Sequence, residues 1–220
     1  MRPLRERARR AAKNRMALTQ TINIVESAPS IHHVLRTGEK VKNWNIIVTV
    51  APGPGRESRL LRQLLRMGYF EPTEFKYVCL GHIEDAVQFL ETLRAGREND
   101  EPWLADLRRA IPVEQTFSFT PENLTGQLKQ GVTPFVARMT EGTFYVRLER
   151  RGLLGQVMSQ DVERQVGEHL RALAGVSGKP LRVSFTNPDY VVAAETVGTQ
   201  CGIALFDRAF RERFPFVLPH

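Results

Sequence analysis

Gly142–Gly152 reads GTFYVRLERRG, an alternating stretch that runs into a cationic tip closed by glycine. Phe144, Val146 and Leu148 fall on one face of a strand, and Thr143, Tyr145, Arg147 and Glu149 on the other. One face is predicted to pack, the other to meet a partner. Arg147, Arg150 and Arg151 cluster at the strand end. Three guanidiniums so close together are not expected all to find carboxylates, whereas phosphates would satisfy their forked donors. The competing reading is an edge strand blunted by charge against edge-to-edge association.

Outward from this strand, Thr120-Pro121-Glu122 reads as a helix start, with Thr as cap and Pro in the first turn, running to about Gln130. A second short helix can begin at Thr133-Pro134. Beyond the tip, Ser159 is expected to cap a helix whose Val162, Val166, Leu170 and Leu173 form an apolar stripe ending near Gly175. Leu181–Phe185 reads as a strand, Asn187-Pro188-Asp189 as a turn, and Tyr190–Val197 and Gly202–Phe206 as further strands before a helical turn over Asp207–Arg213.

Toward the N-terminus, Asn45–Val50 (NIIVTV) is a buried strand rich in β-branched residues, broken by Ala51–Gly55 (APGPG). The spacing then predicts a helix over Arg56–Met67, with Leu60, Leu61, Leu64, Leu65 and Met67 on one side. Arg56, Arg59, Arg62 and Arg66 share the other side, a second basic stripe that is also the form of an ordinary solvated helix face. Phe75–Leu80 reads as a strand, Glu84–Leu93 as a helix, Pro102–Arg109 as a helical turn and Ile111–Phe119 as a strand. Strands alternating with helices imply an α/β sandwich of the ferredoxin-like kind that closes near residue 119.

The 220 residues carry a formal charge of +7, which looks like a nucleic-acid signature until it is located. Residues 1–15 hold seven basic side chains and one acidic; residues 16–143 hold 14 and 15; residues 144–220 hold 10 and 8. The body is nearly neutral, so a case for RNA rests on local clusters rather than totals. The basic leader lacks the apolar core of a secretory signal. It reads as a disordered arm that strengthens RNA contact, as a helix that orders on binding, or as a consequence of start-site choice, since Met16 opens a second N-terminus. Cys79 and Cys201 stand alone, which points to a reducing cytoplasm without a disulfide framework or CxxC motif. The adjacent His32 and His33 would point apart on a strand, so neither a metal nor another cofactor is expected. No apolar run is long enough to cross a bilayer, and a membrane partner is not expected.

Chemistry-bearing motifs are sparse. APGPG sits where phosphate loops sit, but GxxxxGK with a following Ser or Thr is missing, as is GxGxxG, and a tight turn explains its residues. Residues 141–148, EGTFYVRL, approach the aromatic strand of RNA-recognition modules, yet Glu141, Thr143 and Leu148 stand where a basic residue and two aromatics belong. Tyr145 is left as the single stacking platform, which favours recognition of backbone and shape. No paired carboxylates, Cys/His pair or GxSxG survives as a catalytic constellation. Asp189, in its NPD turn, is expected to cap local amides.

The GTFYVRLERRG strand, the helix opening SQDVERQVGEHL at Ser159, and LRVSFTNPDYVVAAET over Leu181–Thr196 together resemble a THUMP domain. In that RNA-binding module a strand of the form FxVxxxRRG precedes a helix with a VG step, here Val166-Gly167, then a strand, NPD, and a strand bearing Glu. The resemblance spans about residues 120–206. It implies a chain of mixed α/β (α+β) class: a leader and polar lead-in over 1–42, partly disordered; a ferredoxin-like domain over 43–119; and a THUMP domain over 120–220. The likeness is greatest to stand-alone THUMP proteins that serve as tRNA-binding adaptors for a cytidine acetyltransferase. It thereby implies a non-enzymatic cytoplasmic protein that holds structured RNA, tRNA above all, for a separate modifying enzyme. Arg147, Arg150, Arg151, Lys179, Arg182 and Tyr145 would face that RNA, with the Arg56–Arg66 stripe as a secondary surface. Two other classes compete. One is a small RNA- or nucleotide-modifying enzyme with an inter-domain cleft, using Asp189 or Glu195. The other is a protein-interaction scaffold without RNA binding.

Overall fold

Residues 43–218 are described by a computed structural model of the chain. The expectations for the basic leader, Met16, His32 and His33 lie outside the described residues. Beginning at Ile46, the chain alternates β1 (Ile46–Val50), α1 (Arg56–Leu64), β2 (Tyr69–Pro72), β3 (Val78–His82), α2 (Ala86–Glu98) and β4 (Leu107–Pro112). The four strands pair antiparallel in the order β2-β3-β1-β4. This βαββαβ succession is the ferredoxin-like topology that the strand-helix alternation implies. Ile46, Ile47 and Val48 are fully buried, as expected of a central strand with both faces covered.

β5 (Gln115–Ser118) turns into a second sheet, followed by α3 (Leu124–Val132), α4 (Phe135–Arg138), β6 (Gly142–Glu149), α5 (Ser159–Val176), β7 (Leu181–Val183), β8 (Tyr190–Val197), β9 (Gln200–Asp207) and α6 (Arg208–Arg213). Its order is β5-β9-β8-β6-β7, with β6 parallel to both neighbours and the other pairs antiparallel. Inward-facing Phe144, Val146, Leu148, Val192 and Ala194 meet Val166, Leu170 and Ala174 of α5 in one core. Each of the larger of these side chains stabilises by about 1.5–3 kcal/mol when taken out of water.

Several expected boundaries move for physical reasons. The stretch Ile111–Phe119 is two strands, because Pro112 lacks an amide proton and the chain leaves one sheet for the other there. β2 was not expected, since YFEP is short and ends in proline, yet it pairs with β3 as an edge strand. Thr120 does not cap a helix: Asn123 turns back on it with a 2.8 Å bond from the Thr120 amide to Oδ1, and α3 begins at Leu124. Ser159 is the first residue of α5 rather than its cap. α1 ends at Leu64, which leaves Leu65 51% exposed instead of packed.

The two sheets fall within one compact unit. The Trp44 indole lies over Gly202 of β9 and donates to Gln200 at 3.2 Å. Behind α6 the chain returns to the first sheet, where the Ala110 amide donates to the Phe216 carbonyl at 3.1 Å and Arg97 lies over the Phe216 ring. Phe214, Phe216 and Val217 are buried there.

Candidate nucleic-acid interface

The alternation read in GTFYVRLE holds along β6: Phe144, Val146 and Leu148 are buried, while Thr143, Tyr145, Arg147 and Glu149 are half-buried on the opposite face. Of the three tip guanidiniums, which were not expected all to find carboxylates, two do and one does not. Arg147 donates to Glu149 Oε2 at 3.2 Å, and Arg151 donates to Glu195 Oε2 at 2.6 Å. Arg150 instead donates to the Gly152 carbonyl at 2.9 Å. Glu149 Oε2 also accepts from Arg109 of β4 at 3.2 Å, so one carboxylate oxygen ties the two sheets together.

The two carboxyls respond differently to this crowding. Burial pushes Glu195 up, and Arg151 offsets that only in part. Burial also acts to raise Glu149, but Arg109 first, then Arg151 and Arg147, hold it below the usual carboxylate range. Glu195 is 1% exposed, and its Oε1 has no hydrogen-bond partner among the described residues. Sealed beneath the tip, it anchors Arg151.

The Asp189 carboxylate reaches beyond its own turn. Its Oδ2 accepts from the Thr143 amide at 2.8 Å and the Thr143 hydroxyl at 2.7 Å, and Oδ1 accepts from Arg208 at 3.0 Å. The Thr143 bonds hold its carboxyl below the usual range. This latch fixes the start of β6 to the NPD turn. Lys179 is likewise committed, its Nζ donating to the Val136 and Ala137 carbonyls at 3.0 and 3.1 Å near the end of α4.

Other cations point outward. Arg182 is exposed on β7, the sheet edge beside β6. The α1 stripe divides: Arg56 and Arg59 converge on buried Asp106, with Arg59 Nε at 2.9 Å, whereas Arg62 and Arg66 are exposed and have no ion pair among the described residues. Phe185 was missed by the sequence reading. It follows β7, is 79% exposed, and stands 5.9 Å from Tyr145 between ring centroids. The only signal was its place in SFTNPD, where an apolar residue before a turn reads as the end of a buried strand. Both cysteines are buried, and burial pushes the Cys79 thiol up to about 12, outside the range of a reactive thiolate.

Comparison with known proteins follows the same lines. The family described as THUMP domain matches residues 126–205, from within α3 into β9. Among solved structures, PH1313 from Pyrococcus horikoshii Ot3 is similar over 74% of this chain and 54% of its own, at 11% identity and a TM-score of 0.50. TrmN from Thermus thermophilus is similar over 73% and 45%, at 20% identity and a TM-score of 0.50. A 4-thiouridine synthetase solved with RNA and bound ATP is similar over 74% and 41%, at 15% identity and a TM-score of 0.49. These likenesses are of fold, and the chain spans about half the length of each protein. Among curated proteins, no sequence matches. The expectation of a chain that is not an enzyme is not upheld: solved structures similar in fold include a 4-thiouridine synthetase and one described as a putative methyltransferase. Residues 126–205 of this chain are a THUMP domain.

Proposed function

We propose that this chain is the RNA-gripping part of a tRNA-modifying enzyme, working in the cytoplasm. The single observation that carries the reading is the THUMP match over residues 126–205, an RNA-binding module by its resemblance. Fold neighbours named for RNA-modifying chemistry support the enzyme in preference to an adaptor. The grip belongs to phosphates and shape. Exposed Arg182, Arg62 and Arg66 are open to a polyanion, whereas Arg151 and Lys179 hold the surface in form by spending donors inside the protein, and Arg147 is tied to Glu149. Arg150 keeps part of its guanidinium at the tip beside them. Interior pairing of this kind preorganises the tip, so little ordering entropy is lost on binding.

Filter-binding titration of the chain against folded tRNA and an unstructured RNA of equal length tests the reading. Tighter binding of the tRNA, weakening steeply with salt, is expected. Equal or absent binding of both overturns it.

A further inference from the structure

Among the described residues four strands end a sheet, and three of these edges are covered or blunted. The outer side of β4 is taken by the Phe216 main chain, whose carbonyl accepts from the Ala110 amide at 3.1 Å. β2 ends in Pro72, which has no amide proton to offer, and the short β7 carries exposed Arg182. β5 (QTFS) has neither proline nor charge. Its inner side is fixed by β9. The Phe119 amide donates to the Thr199 carbonyl at 2.9 Å, and in the same register Phe117 stands opposite Cys201 and Gln115 opposite Ile203. Alternation along an antiparallel ladder then turns the amides and carbonyls of Thr116 and Ser118 away from β9. On that side no strand meets them among the described residues. An edge of this kind is a template for another extended chain.

The edge opens onto a groove of about 640 Å³ between the two sheets, lined by Thr116, Phe117, Ser118, Leu80, Glu71 and Glu74 among others. Thr116 is the register partner of Gly202, over which the Trp44 indole lies, and Ser118 that of Gln200, which accepts from Trp44. Both therefore face the first sheet. A strand added to β5 would turn every second side chain the same way, toward Glu71 and Glu74. The others would lie on the face of Phe117, which packs partly buried on the core of the second sheet. Glu74 is exposed and has no ion pair among the described residues, and its carboxylate lies beside Gly198 of the turn between β8 and β9. Glu71 accepts from the Tyr69 hydroxyl at 3.1 Å. No Lys, Arg or His lines the groove, and exposed Lys76, close to Glu74 in sequence, is not in its wall. Such a wall repels phosphates and suits a cationic segment.

We propose that β5 is a docking edge for a protein partner, which adds an extended segment to the second sheet with Lys or Arg at alternate positions facing Glu74 and Glu71. Aliphatic residues between them cover the Phe117 face. Main-chain bonds to Thr116 and Ser118 supply affinity, and the carboxylates select the cationic side chains. None of Arg62, Arg66 and Arg182 lines this groove, so the docking edge goes beyond the RNA-binding reading and does not depend on it.

The test uses the full chain and fluorescein-labelled eight-residue peptides of three kinds: lysine alternating with valine, glutamate alternating with valine, and lysine alternating with proline. Fluorescence anisotropy is expected to show the lysine-valine peptide binding roughly tenfold more tightly than either of the others, because only it has both free amides and positive charge. Thr116→Pro removes an amide that faces the groove and is not bonded to β9. It should weaken binding roughly tenfold while the denaturation midpoint changes little. Glu74→Lys, on an exposed turn, should weaken binding roughly fivefold. Hydrogen exchange at the Thr116 and Ser118 amides should slow when the lysine-valine peptide is present. Equal binding of the lysine-valine and glutamate-valine peptides, no slowing at those amides, or unchanged affinity in both variants overturns the docking edge. A dimer of the free chain in sedimentation that Thr116→Pro dissolves would give the edge to a second copy, and slowing of the same amides by folded tRNA alone would give it to RNA; either result overturns the proposal.

Discussion

Arg151 donates to Glu195 at 2.6 Å, and the two side chains are only 10% and 1% exposed. The residues lie 44 positions apart, one in the loop after β6 and the other on β8, the strand paired with it. A buried pair of this kind is weak evidence for net stability, but breaking it strands a charge. Arg151→Met is therefore expected to destabilise the protein by about 3–5 kcal/mol in urea denaturation, while Arg151→Met with Glu195→Leu together cost much less. A single variant that folds normally and loses only RNA affinity would make Arg151 a phosphate ligand instead of an anchor.

Arg182 gives the opposite expectation. It is exposed at the sheet edge and has no ion pair among the described residues, so Arg182→Ala should leave the denaturation midpoint unchanged. Its tRNA affinity should fall, with the salt slope reduced by about 1 for the lost phosphate contact. The same holds for Arg62 and Arg66 if α1 touches the RNA. Salt titrations of the three variants separate those cations that do from those that do not.

The Asp189 latch links stability to pH. Because the Thr143 bonds lower its folded pKa below the unfolded value of about 4, its contribution is fully present above that pH and is lost as pH falls through the folded pKa. Glu149, also held low, adds loss in the same direction, whereas raised Glu195 works against it and favours the folded state as it protonates. Asp189→Asn should flatten the acid limb of a stability-versus-pH curve. An unchanged limb would show that the latch does not titrate in this range.

Gly202 tests the contact between the sheets. A methyl group there would lie 2.7 Å from Cζ3 of Trp44 and 2.8 Å from Cγ1 of Val113, so one of them must move. Gly202→Ala should cost about 1–3 kcal/mol and shift the tryptophan emission as Trp44 is displaced. Wild-type stability with unaltered emission would mean that the interface is looser than its geometry implies.

Legibility in the sequence follows the range of the forces involved. Strand β8 was readable as Tyr190–Val197 because seven of its eight residues are buried and the NPD turn marks its start. The core face of β6 was readable from period-two alternation. The pairing of Arg151 with Glu195, or of Arg109 with Glu149, was not, because local sequence says nothing about which carboxylate folds beneath which arginine. The tip therefore looked more cationic than it is. Phe185 failed for the converse reason: hydrophobic residues are expected inside, and its exposure depends on the chain leaving β7 at Val183. The split at Pro112 turns on which sheet offers a partner, a tertiary fact that periodicity cannot carry.

The most direct measurement of the central claim is the quantitative nucleoside composition of tRNA from cells with and without this gene. The account predicts that one modified nucleoside disappears with the gene, returns with the wild-type chain, and returns only in part with a chain in which Arg62, Arg66 and Arg182 are all replaced by alanine. Identical tRNA composition in both cell lines would contradict it.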